Sequence, residues 1–142
     1  MLVQTVRDVM TTNVDVCTPV DNVYEVALKM KDLNVGAIPI VDNNQLVGMI
    51  TDRDLVVRGI AEKHPGSNTV TDVMSDHLIT IGPDASLQEA SSLMAEHQIR
   101  RLPVVENGQL IGIVSLGDLA TNQYSDEQAG VALSEISEQD HQ

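Results

Sequence analysis

The sequence predicts a mixed α/β fold (α+β) in which one β-α-β-β-α unit occurs twice. The first observation is a self-match, because "TVRDVM" at residues 5–10 returns as "TVTDVM" at residues 69–74. The second is that the same offset of 64 residues holds without a gap through residue 55 and aligns Gly48 with Gly112. A fixed internal period of this kind predicts two copies of one supersecondary unit.

Each copy starts with a short strand and an amphipathic helix. The strands are expected near residues 14–18 and 78–81, each ending before a proline. The helices begin after Asn22 and Ser86, since "NVYE" and "SLQE" place a glutamate three residues after a polar N-cap, the pattern of a reciprocal capping box. Helical spacing then predicts these core residues: Val23, Ala27, Met30 and Leu33 in the first copy, and Leu87, Ala90 or Ser91, and Met94 in the second.

The second half of each copy is a hairpin followed by a helix. "AIPIV" and "QLVGMI" are separated by "DNN", and "RLPVV" and "QLIGIV" by "ENG". Strand-like runs joined by such short polar turns predict β-hairpins. A second helix is expected to start at Thr51 and at Ser115. Because a unit of about 55 residues has a marginal core alone, the two units are expected to share one domain.

The predicted boundaries are 1–62 for the first unit, 69–125 for the second and 126–142 for an acidic tail. The polar stretch "EKHPGSNT" joins the units. The tail holds five acids and no Lys or Arg. Its apolar residues predict either a short amphipathic helix or a frayed terminus, which is the commoner case. Those residues are Ala129, Ala132 or Leu133, and Ile136.

Composition excludes several classes of protein. The chain has no Phe or Trp and only two Tyr, whereas single-strand binders stack bases on aromatic rings. Eight basic residues against 21 acids give a net charge of −13, which disfavours a nucleic-acid or anionic membrane partner. No apolar run approaches the roughly 20 residues of a membrane span, and the start lacks a signal-peptide core. A cytoplasmic protein is expected.

Cysteine and histidine provide no chemistry of their own. Cys17 is the single cysteine, so no disulfide within the chain and no cysteine-based metal cluster is expected. We expect Cys17 to be a small buried residue of a strand. The four histidines are scattered without metal-ligand spacing, so no metal site is predicted.

The order of motifs, "DVM", "NVGAIPIVD" and "LVGMITDRDL", repeated once, resembles a tandem CBS-domain pair (Bateman module) of the stand-alone bacterial type, over residues 5–125. The resemblance implies two pseudo-symmetric units and a homodimer in which two chains pair into a disc through their helices. It also implies clefts between the units that bind an adenosine-containing ligand such as AMP, ADP, ATP or S-adenosylmethionine. No covalent cofactor is implied.

The frame "GMITDRD" (48–54) and its copy "GIVSLGD" (112–118) carry the candidate site. A glycine inside a strand predicts close approach of another backbone or a ligand. A hydroxyl at a helix start suits a phosphate, and an acid three residues later can accept hydrogen bonds from ribose hydroxyls. The alternative is an ordinary capping box with its acid at the positive end of the helix, and both interpretations can hold together. The family's G-h-x-T/S-x-x-D motif assigns Thr51 and Asp54 to one cleft and Ser115 and Asp118 to the other.

The two candidate sites are not expected to be equivalent. Arg53 has Gly117 as its counterpart, so we predict that phosphate prefers the Asp54 cleft, while the Asp118 cleft takes an uncharged adenosyl group or stays empty. Arg100 or Arg101 is expected to face the Asp54 cleft, or to be a solvated pair. Arg58 and, more weakly, Lys63 and His64 are further basic candidates. The remaining predicted ligand-binding residues are Thr18, Ala37, Ile38, Leu102, Gly48 and Gly112.

These observations favour a non-enzymatic regulatory module. There is no G-x-x-x-x-G-K-[ST], no G-x-S-x-G and no H-E-x-x-H, so an enzyme is the third choice. In the leading interpretation, ligand binding changes contact with a protein partner that the sequence does not identify. The alternative is a structural dimerisation module whose clefts are vestigial or differently occupied.

Overall fold

The computed structural model describes residues 4–75 and 77–121. The chain divides into two compact units. We call Asp15–Leu78 the central unit, and Met1–Val14 together with Ile79–Gln142 the composite unit. In chain order the elements are α1 (Val6–Val9), α2 (Val23–Leu33), β1 (Ala37–Asp42), β2 (Gln45–Thr51), α3 (Asp52–Asp54) running into a π-helical segment (Leu55–Ile60), a 3₁₀ turn (Val70–Asp72), α4 (Leu87–His97), β3 (Arg101–Glu106), β4 (Gln109–Ser115) and α5 (Leu116–Ala120).

The predicted hairpins are confirmed in both units. β1 pairs antiparallel with β2, and β3 with β4. In the first turn Asn43 and Asn44 have φ of 51° and 67°, and in the second Asn107 and Gly108 have φ of 55° and 80°. Two consecutive positive-φ residues define the two-residue turn that matches strand twist, and Asn and Gly tolerate it best.

The predicted first strand of each copy is reduced to a single bridging residue. Cys17 donates its N–H to the Pro39 carbonyl at 3.0 Å and accepts from Val41 N–H at 2.8 Å, in parallel with β1. Ile81 forms the same bridge beside β3. Pairing stops there because a proline, which has no N–H to donate, follows two residues later in both copies.

The helix starts are confirmed and the buried face of α2 is corrected. Asn22 and Ser86 accept from the N–H of the glutamate three residues on, at 2.8 and 3.0 Å. The N–H of the cap residue is bonded by an acidic side chain instead at Thr5, Thr51 and Ser115, where the acid is an aspartate. Val26 is buried in α2, whereas Ala27 is half-buried and Leu33 is 41% exposed. Val26 lies one turn from both Val23 and Met30, which completes that face. The predicted α4 residues Leu87, Ala90, Ser91 and Met94 are all buried.

The compact units exchange the leading segments of the two repeats. Val70 N–H donates to the Asp21 carbonyl at 2.9 Å, so the 69–74 motif packs within the central unit. Val6 N–H donates to the Ala85 carbonyl at 3.0 Å, so the 5–10 motif packs within the composite unit. Each segment contributes a fully buried valine to the core of the unit in which it packs: Val6 in the composite unit and Val70 in the central unit. The predicted boundaries of the sequence repeats, 1–62 and 69–125, remain predictions.

The stretch "EKHPGSNT" is part of the central unit. The carbonyls of Gly66 and Asn68 accept from the N–H groups of Tyr24 and Val23 at 3.0 and 2.8 Å. The joint therefore covers the start of α2 and satisfies N–H groups that a helix leaves unpaired. The predicted tail helix at 129–136 lies outside the described residues.

Candidate functional site

Thr51 and Asp54 cap each other where β2 becomes α3. Asp54 N–H donates to Thr51 Oγ1 at 3.1 Å, and Thr51 N–H donates to Asp54 Oδ2 at 2.9 Å. Both residues are half-buried. Within residues 4–75 and 77–121, Oδ1 of Asp54 accepts no hydrogen bond. The capping interpretation is therefore confirmed, and one oxygen of the carboxylate has no hydrogen-bond donor in the described part of the chain.

Ser115 and Asp118 repeat this geometry in the composite unit. Asp118 N–H donates to Ser115 Oγ at 3.0 Å, and Ser115 N–H donates to Asp118 Oδ2 at 2.9 Å. Oδ1 of Asp118 is likewise without a hydrogen bond among the described residues. The two copies thus present the same hydroxyl and carboxylate, each half-buried, at the start of a short helix.

Glycine precedes each cap because another segment of the chain lies against the strand. A Cβ on Gly48 would be 2.5 Å from Met74 Sδ and 3.1 Å from the Ser75 carbonyl oxygen. A Cβ on Gly112 would be 2.7 Å from Met10 Sδ and 2.8 Å from the Thr11 carbonyl oxygen. The sequence predicts that another backbone or a ligand approaches these glycines closely, and close approach of another segment's backbone is observed at both.

The methionines of these contacts were not singled out as site residues. Met10 and Met74 end the two "DVM" motifs, and their recurrence at the repeat offset was the available signal. The residue after each methionine bridges the strand, Thr11 to Ile113 and Ser75 to Met49. The "DVM" motif therefore supports the strand that delivers the capping hydroxyl.

The hairpin register places further candidate residues beside each cap. Ala37 is opposite Thr51, and Arg101 is opposite Ser115. The next candidates, Ile38 and Leu102, have side chains buried in the two cores. We conclude that a ligand at either hairpin end could meet only the backbone of these two residues.

The chain around the two caps differs in chemistry. Asp52 N–H donates to the Gly36 carbonyl at 2.9 Å, and a Cβ on Gly36 would be 3.2 Å from Asp52 Oδ2. In the composite unit Leu116 N–H donates to the Arg100 carbonyl at 2.8 Å. The Leu116 side chain is buried, whereas Asp52 is exposed. Sequence reasoning overlooked Asp52, which adds a carboxylate beside Thr51.

The candidate arginines have different surroundings. Arg53 is exposed, and its backbone N–H donates to Asp52 Oδ1 at 2.8 Å. Arg100 and Arg101 are also exposed. Arg58 instead donates through Nη1 to the Met74 carbonyl at 3.2 Å, so its guanidinium holds the 69–74 segment in the central unit. Its carbonyl lies 3.0 Å from Nδ1 of His64, which with Lys63 is one of the weaker basic candidates of this region.

Thr18 belongs to a tight turn that follows Cys17. Thr18 N–H donates to Asp21 Oδ2 at 2.8 Å, and the Thr18 carbonyl accepts from Asp21 N–H at 3.1 Å.

Cys17 is 2% exposed, and burial raises the pKa of its thiol. The prediction that Cys17 is a buried structural residue is confirmed.

Two kinds of structure are absent from the described residues. No group of three or more His, Cys, Asp or Glu among them has the geometry to hold a metal ion. No helix among them has the length and apolar character needed to cross a membrane.

Comparison with known proteins gives a family. The CBS-domain family profile matches residues 6–59 and again residues 70–124. The chain is 54% identical over 138 residues to the uncharacterized protein YlbB of Bacillus subtilis, covering 96% of this chain and 93% of that relative.

Solved structures agree in fold. The hypoxic response protein I with two coordinated zinc ions superposes with a TM-score of 0.78 at 34% identity, covering 84% of this chain and 98% of that one. CBSX2 in complex with AMP superposes with a TM-score of 0.73 at 32% identity, covering 80% and 91%. The repeated profile match and these relatives show that the chain belongs to the CBS-domain family, as a tandem pair of a family of regulatory and sensor modules.

Proposed function

We propose that this chain is a non-enzymatic regulatory module that binds an adenosine-containing ligand, either AMP, ADP or ATP, or S-adenosylmethionine. The observation that carries the proposal is the pair of matching caps, each with a hydroxyl beside a carboxylate oxygen that accepts no hydrogen bond from the described residues. A related structure of the same fold, CBSX2, holds AMP, which supports this class of ligand.

The proposed role of each side chain follows from the hydrogen-bonding atoms that the cap does not use. Asp54 and Asp118 each use Oδ2 on the cap and offer Oδ1 to a ribose hydroxyl. A charge-assisted hydrogen bond of this kind is about twice as strong as a neutral one. Thr51 and Ser115 accept at the cap and can still donate their hydroxyl hydrogen to ribose or phosphate oxygen. Cap and ligand contact are therefore compatible at both sites.

We further propose that phosphate prefers the Asp54 site. Arg53 is exposed one residue before Asp54, whereas Gly117 takes its place before Asp118. Arg101 lies opposite Ser115, so its charge is beside the Asp118 cap, and Asp52 adds a carboxylate beside Thr51. The proposed preference therefore rests on Arg53. Gly117 carries no charge, which supports an uncharged adenosyl group at the Asp118 site.

The direct test is a thermal melt with AMP, ADP, ATP, S-adenosylmethionine and NAD. A ligand that binds only the folded chain adds about 2.7 kcal/mol of stability at a hundredfold excess over its Kd. We expect a concentration-dependent rise in Tm with at least one adenosine ligand, and no product on prolonged incubation. Silence from all five would contradict ligand sensing, and turnover of any ligand would contradict a non-enzymatic role.

The second candidate function is a structural dimerisation module whose clefts are vestigial or differently occupied. It is favoured by the exposed apolar side chains on the helices of the central unit. A melt without any ligand response, together with a dimeric mass in light scattering, would favour this candidate. Pairing of two chains is part of both proposals, and a protein partner is the expected recipient of the signal in the first.

A further inference from the structure

Asp52 is an exposed carboxylate at the start of α3, directly after the capping hydroxyl of Thr51. Contacts on both sides hold it in place. Its N–H donates to the Gly36 carbonyl at 2.9 Å, and its Oδ1 accepts from Arg53 N–H at 2.8 Å. Its Oδ2 faces Gly36, where an added Cβ would lie 3.2 Å away. The glycine therefore leaves room for this carboxylate at the end of the hairpin.

The charges of Asp52 and Arg53 are both available to a ligand. Both side chains are exposed, and the ion pairs recorded among the described residues involve neither of them. Oδ2 of Asp52 accepts no hydrogen bond from the described part of the chain. A ligand on the Thr51 hydroxyl would thus meet a positive and a negative charge that are not paired with each other.

Asp52 is close enough to Thr51 to act on a bound phosphate. Because consecutive Cα atoms are about 3.8 Å apart, a phosphate held by the Thr51 hydroxyl would lie within about 10 Å of the Asp52 carboxylate. That distance is about the screening length at 0.1 M salt. Arg53 offers a cation to one phosphate group, whereas each further phosphate adds negative charge near Asp52 without a second cation.

The composite unit lacks this pair of charges. At the 64-residue offset, Asp52 and Arg53 become Leu116 and Gly117. The Leu116 side chain is 6% exposed and belongs to the core of that unit. Selection of a ligand by a charge at this position is therefore specific to the central unit.

From this arrangement we infer that Asp52 is a specificity-determining residue of the Asp54 site and makes that site select AMP over ADP and ATP. Arg53 attracts the first phosphate, and the carboxylate of Asp52 repels a longer and more negative chain of phosphates. The inference rests on the proposed function, since it concerns the ligand of the same site. It adds which nucleotide the site selects and the residue that selects it.

The test compares the affinities for AMP, ADP and ATP by titration calorimetry on Asp52→Asn and Asp42→Asn. Both variants carry Asp118→Ala, so that the Asp54 site is measured alone, and EDTA prevents divalent cations from neutralising the phosphates. Asp52→Asn keeps an oxygen that can accept from Arg53 N–H and removes only the charge. Asp42→Asn is the matched control, because it removes the same charge from the other end of β1, about 17 Å along the strand.

We expect the Asp118→Ala chain to bind AMP more tightly than ADP, and ADP more tightly than ATP. At about 20 mM salt, Asp52→Asn should reduce this discrimination about two- to fivefold for each added phosphate. The difference should shrink as salt is added, because the interaction is screened. Asp42→Asn should leave the ratios of affinity unchanged.

Tightest binding of ATP by the Asp118→Ala chain would overturn the inference. A lower Tm of Asp52→Asn with unchanged ratios of affinity would also overturn it, because Asp52 would then only stabilise the start of its helix. Equal changes in both asparagine variants would do the same, since the effect would then follow net charge. These failures leave AMP binding intact, whereas no binding of any of the three nucleotides would overturn the inference together with nucleotide binding at this site.

Discussion

Gly48 and Met74 are in direct contact, and an added Cβ on the glycine would lie 2.5 Å from the methionine sulfur. The contact fastens a "DVM" segment across the strand that ends at Thr51. The same arrangement joins Gly112 to Met10 in the composite unit. The strand glycine is thus explained by packing within the chain, and the proposed ligand contact is assigned to the cap that follows it.

Alanine at these glycines should destabilise the fold in a definite order. Gly112→Ala should cost the most, because a Cβ there lies 2.8 Å from the Thr11 carbonyl oxygen, which moves less easily than a side chain. Gly48→Ala should cost less, since Met74 can shift, and both should fall near the 1–3 kcal/mol typical of overpacking. Urea unfolding provides the measurement.

Gly82 is the matched control for these variants. A Cβ there meets nothing within 4 Å. Gly82→Ala should therefore leave stability unchanged or raise it by up to about 1 kcal/mol. If all three alanine variants unfolded at the wild-type midpoint, the packing account of the strand glycines would be wrong.

The caps should separate a stability role from a ligand role. Thr51→Ala removes the acceptor of Asp54 N–H and should cost about 0.5–2 kcal/mol. Asn22→Ala removes the equivalent acceptor of Glu25 N–H and should cost a similar amount. Only Thr51→Ala should also reduce the rise in Tm caused by an adenosine ligand. Equal ligand responses in the two variants would assign Thr51 to capping alone.

Cys17 gives a pH dependence of known sign. Burial raises the pKa of its thiol in the folded chain, followed by a smaller opposing effect of Lys29. Above the ordinary thiol pKa of about 8.5 the unfolded chain loses a proton that the folded chain retains, so stability falls as pH rises. Below that pH the contribution is fully present.

Urea titrations at pH 7 and pH 9.5 would measure this loss. The wild type should lose more stability between the two pH values than Cys17→Ser, which has no titrating thiol. The folded wild type should also react slowly with a thiol reagent at pH 8, because Cys17 is 2% exposed. Rapid modification under native conditions would contradict its assignment as a buried residue.

Local features of the fold were predictable from sequence, and long-range ones were not. Turn residues such as Asn107 and Gly108, and caps such as Asn22, act within four residues, so the sequence identifies them directly. The exchange of the 5–10 and 69–74 segments depends on tertiary packing, which a repeat alignment does not reveal.

For the candidate site too, the local features were predictable from sequence and the long-range contacts were not. Thr51 with Asp54 and Ser115 with Asp118 were found because their spacing recurs and because a capping box is local. Arg58 was grouped with the site by sequence proximity, but its guanidinium contacts the Met74 carbonyl. Asp52 was overlooked because its counterpart is Leu116, so the repeat comparison gave it no weight.

The central claim is that Asp54 and Asp118 bind the ribose of an adenosine ligand and that phosphate prefers the Asp54 site. Titration calorimetry with AMP on Asp54→Ala, Asp118→Ala and Asp8→Ala tests it most directly. Outside the motif, Asp8 Oδ2 accepts from Thr5 N–H at 2.9 Å, so Asp8→Ala controls for loss of this aspartate-to-cap bond. We predict the largest loss of AMP affinity in Asp54→Ala, a smaller one in Asp118→Ala and none in Asp8→Ala. Equal losses in the first two would contradict the asymmetry, and wild-type affinity in all three would contradict the site itself.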